Sequence, residues 1–129
     1  MNRLTPKISL YLKDMRITPL NRLYTPIVKK GKPAIITSKE SRLCKALIRR
    51  EVIKQKQNKM IEGSLSMCID MIIANNKAPD IDAIQKVLCD ALEGFCYEND
   101  SQIVDMHTRK HVNQGVNEVL VSIEVMNES

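Results

Sequence analysis

Alternation of apolar and polar side chains marks the first element. In residues 7–13 (Lys-Ile-Ser-Leu-Tyr-Leu-Lys) every second position is apolar, the period of a half-buried strand. Residues 16–33 carry Pro19, Pro26, Pro33, Gly31 and several basic side chains. Proline removes a backbone donor and biases its predecessor to extended geometry, so this interval is expected to be a loop. Ala34–Thr37 reads as a short strand. Thr37-Ser38-Lys39-Glu40 then fits a capping box, with the glutamate three residues after the threonine. The helix expected to follow, about 20 residues long, has Cys44, Leu47, Ile48 and Val52 on one face and Arg42, Lys45, Arg49 and Lys56 on another. Gly63 is expected to end it.

From Ser64 to Asn75 clear alternation returns, and a long strand is expected, broken by Asn75-Asn76-Lys77-Ala78-Pro79. A second helix is expected to start near Asp80 to Asp82 and to run to about Glu93. Its apolar face is Ile84, Leu88, Ala91, Leu92 and Phe95, and Gly94 is the stop. Tyr97–Ser101 reads as a polar turn, Gln102–Val112 as a strand, Asn113–Gly115 as a hairpin-like turn, and Val116–Met126 as the last strand. This order implies one α/β (α+β) domain over residues 1–129, a mixed β-sheet packed with two main helices.

Composition agrees with a folded chain: 43% apolar and 27% charged residues are ordinary globular values. No run of apolar residues is long enough for a transmembrane helix, and the basic N-terminus lacks the apolar core of a signal peptide. Cys44, Cys68, Cys89 and Cys96 show no C-x-x-C spacing, and neither histidine flanks them at zinc-finger distance. They read as small apolar side chains in a reducing compartment, which implies a cytoplasmic protein, not one bound to a membrane.

Charge changes the picture. Residues 1–60 hold 16 Lys/Arg against 3 Asp/Glu, a net of +13, and residues 61–129 hold 4 against 12, a net of −8. A basic half points to an anionic partner, and a segregated acidic half to a separate role. The plainer alternative is that the halves neutralise each other on the surface.

The acidic role concentrates between Pro79 and Asp105. Asp80 and Asp82 lie two residues apart at the expected helix start, Lys86 follows one turn on, and Asp100 follows the glycine turn. A carboxylate at a helix start satisfies exposed N–H groups, and Asp82 with Lys86 fits an i,i+4 ion pair worth a few tenths of a kcal/mol. Three carboxylates in one place repel each other unless a cation sits between them, and a hard divalent ion such as Mg2+ prefers such oxygen ligands. The sixth position counted from Asp80 is Gln85, not the glycine of a calcium loop. No glycine-rich phosphate-binding loop is present either. A divalent ion held by Asp80, Asp82 and Asp100 suits phosphodiester hydrolysis, with Lys86 about 6 Å along the helix from Asp82 to offset transition-state charge. Phosphates flanking that site would be held by the basic loop and helix, through Asn21, Arg22, Tyr24, Lys29, Lys30, Lys32, Arg42 and Arg49.

The combined pattern is more specific. Pro79-Asp80-Ile81-Asp82, Lys86, Asp90-Ala91-Leu92, Gly94 and Glu98-Asn99-Asp100-Ser101-Gln102-Ile103-Val104-Asp105 resembles the RusA family of Holliday junction resolvases. That family's pattern runs D-x-D-N, a lysine four residues after the second Asp, D-A-L, and a turn ending D-D-x-Q-V. Pro19-Leu20-Asn21-Arg22-Leu23-Tyr24 is similar to its N-terminal loop. The resemblance covers about residues 7–126 and is tightest over 79–105. It implies a dimeric α/β endonuclease that cuts four-way DNA junctions with Mg2+, or Mn2+ in its place. It further implies that Asp80, Asp82 and Asp100 are the essential carboxylates and Lys86 the essential cation. Two positions depart from the pattern: Ala83 stands for its asparagine and Asn99 for the first aspartate of its terminal pair. A junction has approximate two-fold symmetry and needs two matched cuts, so a C2 homodimer is expected. The alternative is a catalytically inactive module that binds branched DNA.

Overall fold

The computed structural model describes residues 7–13, 26–29, 32–35, 39–76 and 81–126. The alternating segments become strands: β1 Lys7–Lys13, β4 Leu65–Ile72, β5 Ile103–His111 and β6 Glu118–Val125 form one sheet in the order β1-β6-β4-β5. β6 is antiparallel to both β1 and β4, whereas β5 is parallel to β4, so the sheet is mixed. In register, Ile8, Ile123 and Met67 form one row, Leu10, Val121 and Ile69 the next, and Leu12, Val119 and Met71 a third. All nine are buried, and they define one apolar sheet face.

Two helices cover that face. Cys44, Ile48 and Val52 of α1 (Lys39–Lys54) recur every four residues and are buried. Ile84, Val87, Leu88, Ala91 and Leu92 form the buried stripe of α2 (Ile81–Leu92). Each fully buried Ile, Leu or Met contributes about 1.5–3 kcal/mol relative to exposure. An aspartate at Met67 would place an unpaired charge in the centre of this layer and break the fold.

Several expectations need correction. The proline-rich interval is not all loop: β2 Pro26–Lys29 and β3 Lys32–Ile35 pair antiparallel, with Val28 opposite Pro33 and Lys29 opposite Lys32. A two-stranded ribbon has an outward edge on each strand, where a proline costs no ladder bond. Leu47 is 45% exposed and not part of the apolar face. α1 ends at Lys54, well before Gly63. Lys56 takes φ 58°, its N–H donates to the Ile53 carbonyl, and the Gln57 N–H donates to the Val52 carbonyl. That is a Schellman stop built on a lysine instead of a glycine. Gly63, at φ 88°, instead turns the chain into β4.

The segment after α1 seals one edge of the sheet. Gln57 Oε1 accepts from the Ser9 N–H and Gln55 Oε1 from the Tyr11 N–H, both at 3.0 Å, and Lys59 Nζ donates to the Lys7 carbonyl at 2.9 Å. Side chains thus stand where a further strand would pair.

Asn113–Gly115 does turn the chain, with φ 57° at Asn113 and 78° at Gly115, but β5 and β6 form no hairpin. β4 lies between them, and the turn bonds to the end of β4: Asn113, Gln114 and Gly115 N–H groups donate to the carbonyls of Asn75, Ile73 and Ala74. Tyr97, expected in a polar turn, is fully buried, and its hydroxyl donates to the Cys89 carbonyl at 2.8 Å. Burial raises the Cys44 thiol to about 11 and the Cys96 thiol to about 12, so both remain uncharged core groups.

Candidate active site

The start of α2 presents the first acid. Ile81 is its first helical residue, and Asp82 stands exposed in the first turn, where the helix dipole favours a carboxylate. Asp80 lies outside the described residues. One turn on, Lys86 is exposed. Its amine pairs with Asp90, at 3.9 Å from Oδ2, and not with Asp82 as expected. Both aspartates are four residues from Lys86. Asp90 is the less exposed, and Lys45 of α1 also reaches its Oδ2, at 3.6 Å, so the field there is stronger than at the exposed Asp82. At 63% side-chain exposure, Lys86 remains largely in solvent, and the pair is worth a few tenths of a kcal/mol.

Asp100 opens a single 3₁₀ turn, Asp100–Gln102. Asn99 caps it: its side chain accepts from the Ser101 N–H at 2.9 Å, while Gln102 Oε1 accepts from the N–H groups of Glu98 and Asn99 at 3.0 Å. This is a reciprocal capping box. Asparagine caps as well as aspartate, which accounts for one departure from the family pattern. Glu93, at the end of α2, accepts from the Asp100 N–H at 2.9 Å. Gly94, at φ 84°, ends the helix and lets the chain double back so that Glu93 meets this turn.

Lys86 and Asp90 are paired along α2, and the Asp100 turn is tied to the end of that helix through Glu93. The half-buried Cys89 thiol is raised to about 11, first by burial; the Tyr97 hydroxyl opposes the rise, Asp100 and Asp90 add to it, and Lys86 lowers it. One thiol therefore feels Asp100, Asp90 and Lys86 together. Of the five described aspartates, three have partners. Asp90 meets the two lysines, Asp70 meets Arg109 Nε and His111 Nε2 at 3.1 Å each, and Asp105 accepts from Ser66 Oγ at 2.7 Å and meets His107 Nε2 at 3.1 Å. Asp82 and Asp100 have no side-chain hydrogen bond or ion pair among the described residues. Two exposed hard oxygen donors without a counter-charge fit a divalent cation. Among the described residues no three His, Cys, Asp or Glu side chains gather as a complete metal set, and the expected third ligand, Asp80, is not among those residues.

Of the expected DNA contacts, Asn21, Arg22, Tyr24 and Lys30 lie outside the described residues. The backbone places Lys29 and Lys32 opposite each other at the end of the β2–β3 ribbon. Arg42 is exposed on α1. Arg49 is engaged within the fold, where Nε donates to the Ala91 carbonyl at 2.9 Å and Nη2 to the Asp90 carbonyl at 3.1 Å. Its guanidinium lies 5.2 Å from the Phe95 ring centroid. It thereby holds carbonyls of the last turn of α2, which have no helical partner, and ties the basic helix to the acid-bearing one. Sequence reasoning did not single out Asp90, Glu93 or Gln102 as site residues. Only Gln102 had a local signal, the Asn-x-x-Gln spacing of a capping box.

The sequence model of the endodeoxyribonuclease RusA family matches residues 17–124. A crossover junction endodeoxyribonuclease RusA from Aquifex aeolicus (strain VF5) is 31% identical over 121 residues, which cover 91% of this chain and 90% of that protein. The match spans the α2 acids, Lys86 and the Asp100 turn in a single stretch. The chain belongs to the RusA family of endodeoxyribonucleases and is a nuclease that acts on DNA phosphodiester bonds.

Proposed function

We propose that this protein is a Mg2+-dependent, structure-selective endodeoxyribonuclease that resolves four-way DNA junctions by paired symmetric cuts, as a homodimer in the cytoplasm. The observation that carries this reading is that Asp82 and Asp100, unlike the other described aspartates, have no side-chain partner among the described residues, with the exposed Lys86 one turn after Asp82. Unpaired like charges cost stability, so a fold that pairs its other described aspartates but not these two leaves them for an external cation. Asp80, two residues before Asp82, would complete the ligand set. The bound ion would supply charge neutralisation at the phosphate and a more acidic water as nucleophile; Mn2+ would serve the same donors.

The chain's own groups do the rest. Asp82 and Asp100 would hold the ion from two elements, a helix start and a capped turn. Lys86 follows Asp82 by one turn of α2; its ammonium, which rests 3.9 Å from Asp90 Oδ2, is free enough to offset charge on the transition state or the leaving oxygen. The basic N-terminal half supplies phosphate contacts, with Arg42 exposed on α1 and Lys29 and Lys32 at the ribbon end. A two-fold dimer would present two such sites to a nearly two-fold substrate. Asn99, one of the two departures from the family pattern, caps the turn in which Asp100 sits.

Incubation with an end-labelled four-way junction tests the reading. Two symmetric nicks with Mg2+ and none with EDTA are expected, while in EDTA the intact junction is still shifted in a gel. Junction binding without nicks in Mg2+ or Mn2+ would establish the inactive binder instead.

A further inference from the structure

Gln102 makes more side-chain hydrogen bonds than any aspartate in the site. Its Oε1 accepts from the N–H groups of Glu98 and Asn99, both at 3.0 Å. Its Nε2 donates to the carbonyls of Ile61 at 3.2 Å and Gly63 at 3.0 Å. One side chain thus holds both sides of a gap: the turn that presents Asp100, and the strap that runs from α1 into β4. The strap is itself anchored. The Ile61 N–H donates to the Cys96 carbonyl at 2.8 Å, and Gln55, Gln57 and Lys59 bind it along β1.

Other bonds at the turn do not cross that gap. Glu93 holds the Asp100 N–H and Asn99 closes its own turn, but both bonds are local to the acid loop. A single 3₁₀ turn has only two backbone bonds of its own, from the Gln102 N–H to the Asn99 carbonyl and from the Ile103 N–H to the Asp100 carbonyl, and is weak by itself. Without the amide, the turn would still run into β5, where Ile103 pairs with Leu65, but it would lose its side-chain bonds to the strap.

We propose that Gln102 is the positioning residue of the metal-binding turn, fixing Asp100 relative to Asp82 by bonding the turn to the Ile61–Gly63 strap. This role rests on the assignment of Asp100 to the metal site. Groups that hold a ligand without touching the ion set its geometry, and their loss lowers metal affinity or activity by about 10–100-fold. The chemistry at Gln102 also separates two functions. Glutamate keeps the acceptor oxygens for Glu98 and Asn99 but has no donor for the Ile61 and Gly63 carbonyls. Leucine keeps an apolar side chain of similar bulk and none of the four bonds.

The test uses the full chain with Gln102→Leu, Gln102→Glu and Asp100→Asn. Three quantities are followed: the Mg2+ dependence of single-turnover junction cleavage, junction affinity without metal, and hydrogen exchange of the Glu98, Asn99 and Asp100 amides. Gln102→Leu is expected to cut about 10–100-fold more slowly at fixed Mg2+ and to need more Mg2+ for half-maximal rate, with partial recovery at high Mg2+. Its junction affinity should stay within about twofold of wild type, and its loop amides should exchange faster. Gln102→Glu should fall between the leucine variant and wild type, and it carries the test if the leucine variant fails to fold. Asp100→Asn should not recover at any Mg2+ concentration. A wild-type Mg2+ dependence in Gln102→Leu, or a loss that only follows the folded fraction, overturns the proposal. Wild-type cutting by Asp100→Asn overturns the site assignment and the proposal's catalytic consequence with it. Unaltered loop exchange in Gln102→Leu overturns the attachment itself.

Discussion

Two aspartate-bearing regions of this molecule treat their charge in opposite ways. On the open face of the sheet, Asp70 is met by Arg109 and His111, and Asp105 by Ser66 and His107. The His111 hydrogen bond, with help from Arg109, holds the Asp70 carboxyl below its usual 3.8, and Ser66 and His107 do the same for Asp105. Beside α2, the carboxylates of Asp82 and Asp100 meet no donor and no cation among the described residues. Residue type is the same in both places. What differs is the neighbouring strand or helix: β5 lines up basic and imidazole groups against β4, whereas the turn after α2 brings backbone bonds to Asp100 and leaves its side chain free. Paired aspartates serve the fold, and unpaired ones are available to a ligand.

The comparison makes the largest prediction at the unpaired acids. Asp82→Asn and Asp100→Asn should each cut a labelled four-way junction at least about a hundredfold more slowly, the scale of losing one charge-stabilising group in a site. Thermal midpoints should change little, because both side chains are exposed, neither has a partner among the described residues, and Asp82 gives up only its interaction with the helix dipole. A clear drop in the midpoint with normal cutting would move these residues into the structural class.

Lys86 comes next. Removing a cation that has only a long, exposed pair with Asp90 should cost a few tenths of a kcal/mol of stability. Lys86→Ala should nevertheless lose orders of magnitude in single-turnover rate, on the scale of about 3–4 kcal/mol. Lys86→Arg should fold and bind junctions normally yet cut slowly, because a planar fork does not replace a point charge. Rates close to wild type for both would leave Lys86 a helix-pair residue.

Arg49 sharpens the comparison from the basic side, as a cation engaged within the fold. Its two charged hydrogen bonds and its contact with Phe95 make Arg49→Ala about 2 kcal/mol less stable, read as a lower urea midpoint at unchanged slope. If stability holds and the salt dependence of junction binding falls by about one phosphate contact, Arg49 belongs to the DNA surface instead.

The smallest effect is at Asp70. Its folded pKa is depressed, so its contribution is present above 3.8 and is lost as pH falls through the lower folded value. Asp70→Asn should flatten the acid limb of stability below pH 3.8 by less than about 1 kcal/mol, since the partners are largely exposed. An unchanged acid limb would show that these pairs contribute nothing measurable.

Much of the fold was legible because period reports burial directly. Ile8, Leu10 and Leu12, Leu65 to Met71, and Ile84 to Leu92 read as the core faces they are. Several of the errors share a cause: the residue's environment is set by a pairing that its own local pattern does not show. Pro26 and Pro33 read as loop until the ribbon gave each an outward edge. Asn113–Gly115 looked like a hairpin until β4 came between β5 and β6. Tyr97 looked polar until its hydroxyl found the Cys89 carbonyl. The candidate acids could be named because their spacing carries the family pattern. Asp90, Glu93 and Gln102 were harder, since a supporting side chain is recognised by what it bonds.

Sequence alone determined the strand and helix periods, the basic and acidic halves, the acids at 80, 82 and 100 with Lys86, and the family resemblance. Each of these is a property of residue type at short spacing, and local chemistry suffices for it. Tertiary structure decided which polar groups are paired: Lys86 turns to Asp90, Arg49 to the end of α2, and Gln102 to the Ile61–Gly63 strap. The last two choices depend on groups 41, 42 and 39 positions apart meeting within hydrogen-bond reach. Coulomb and hydrogen-bond energies fall off within a few ångströms, so only the folded chain assigns them.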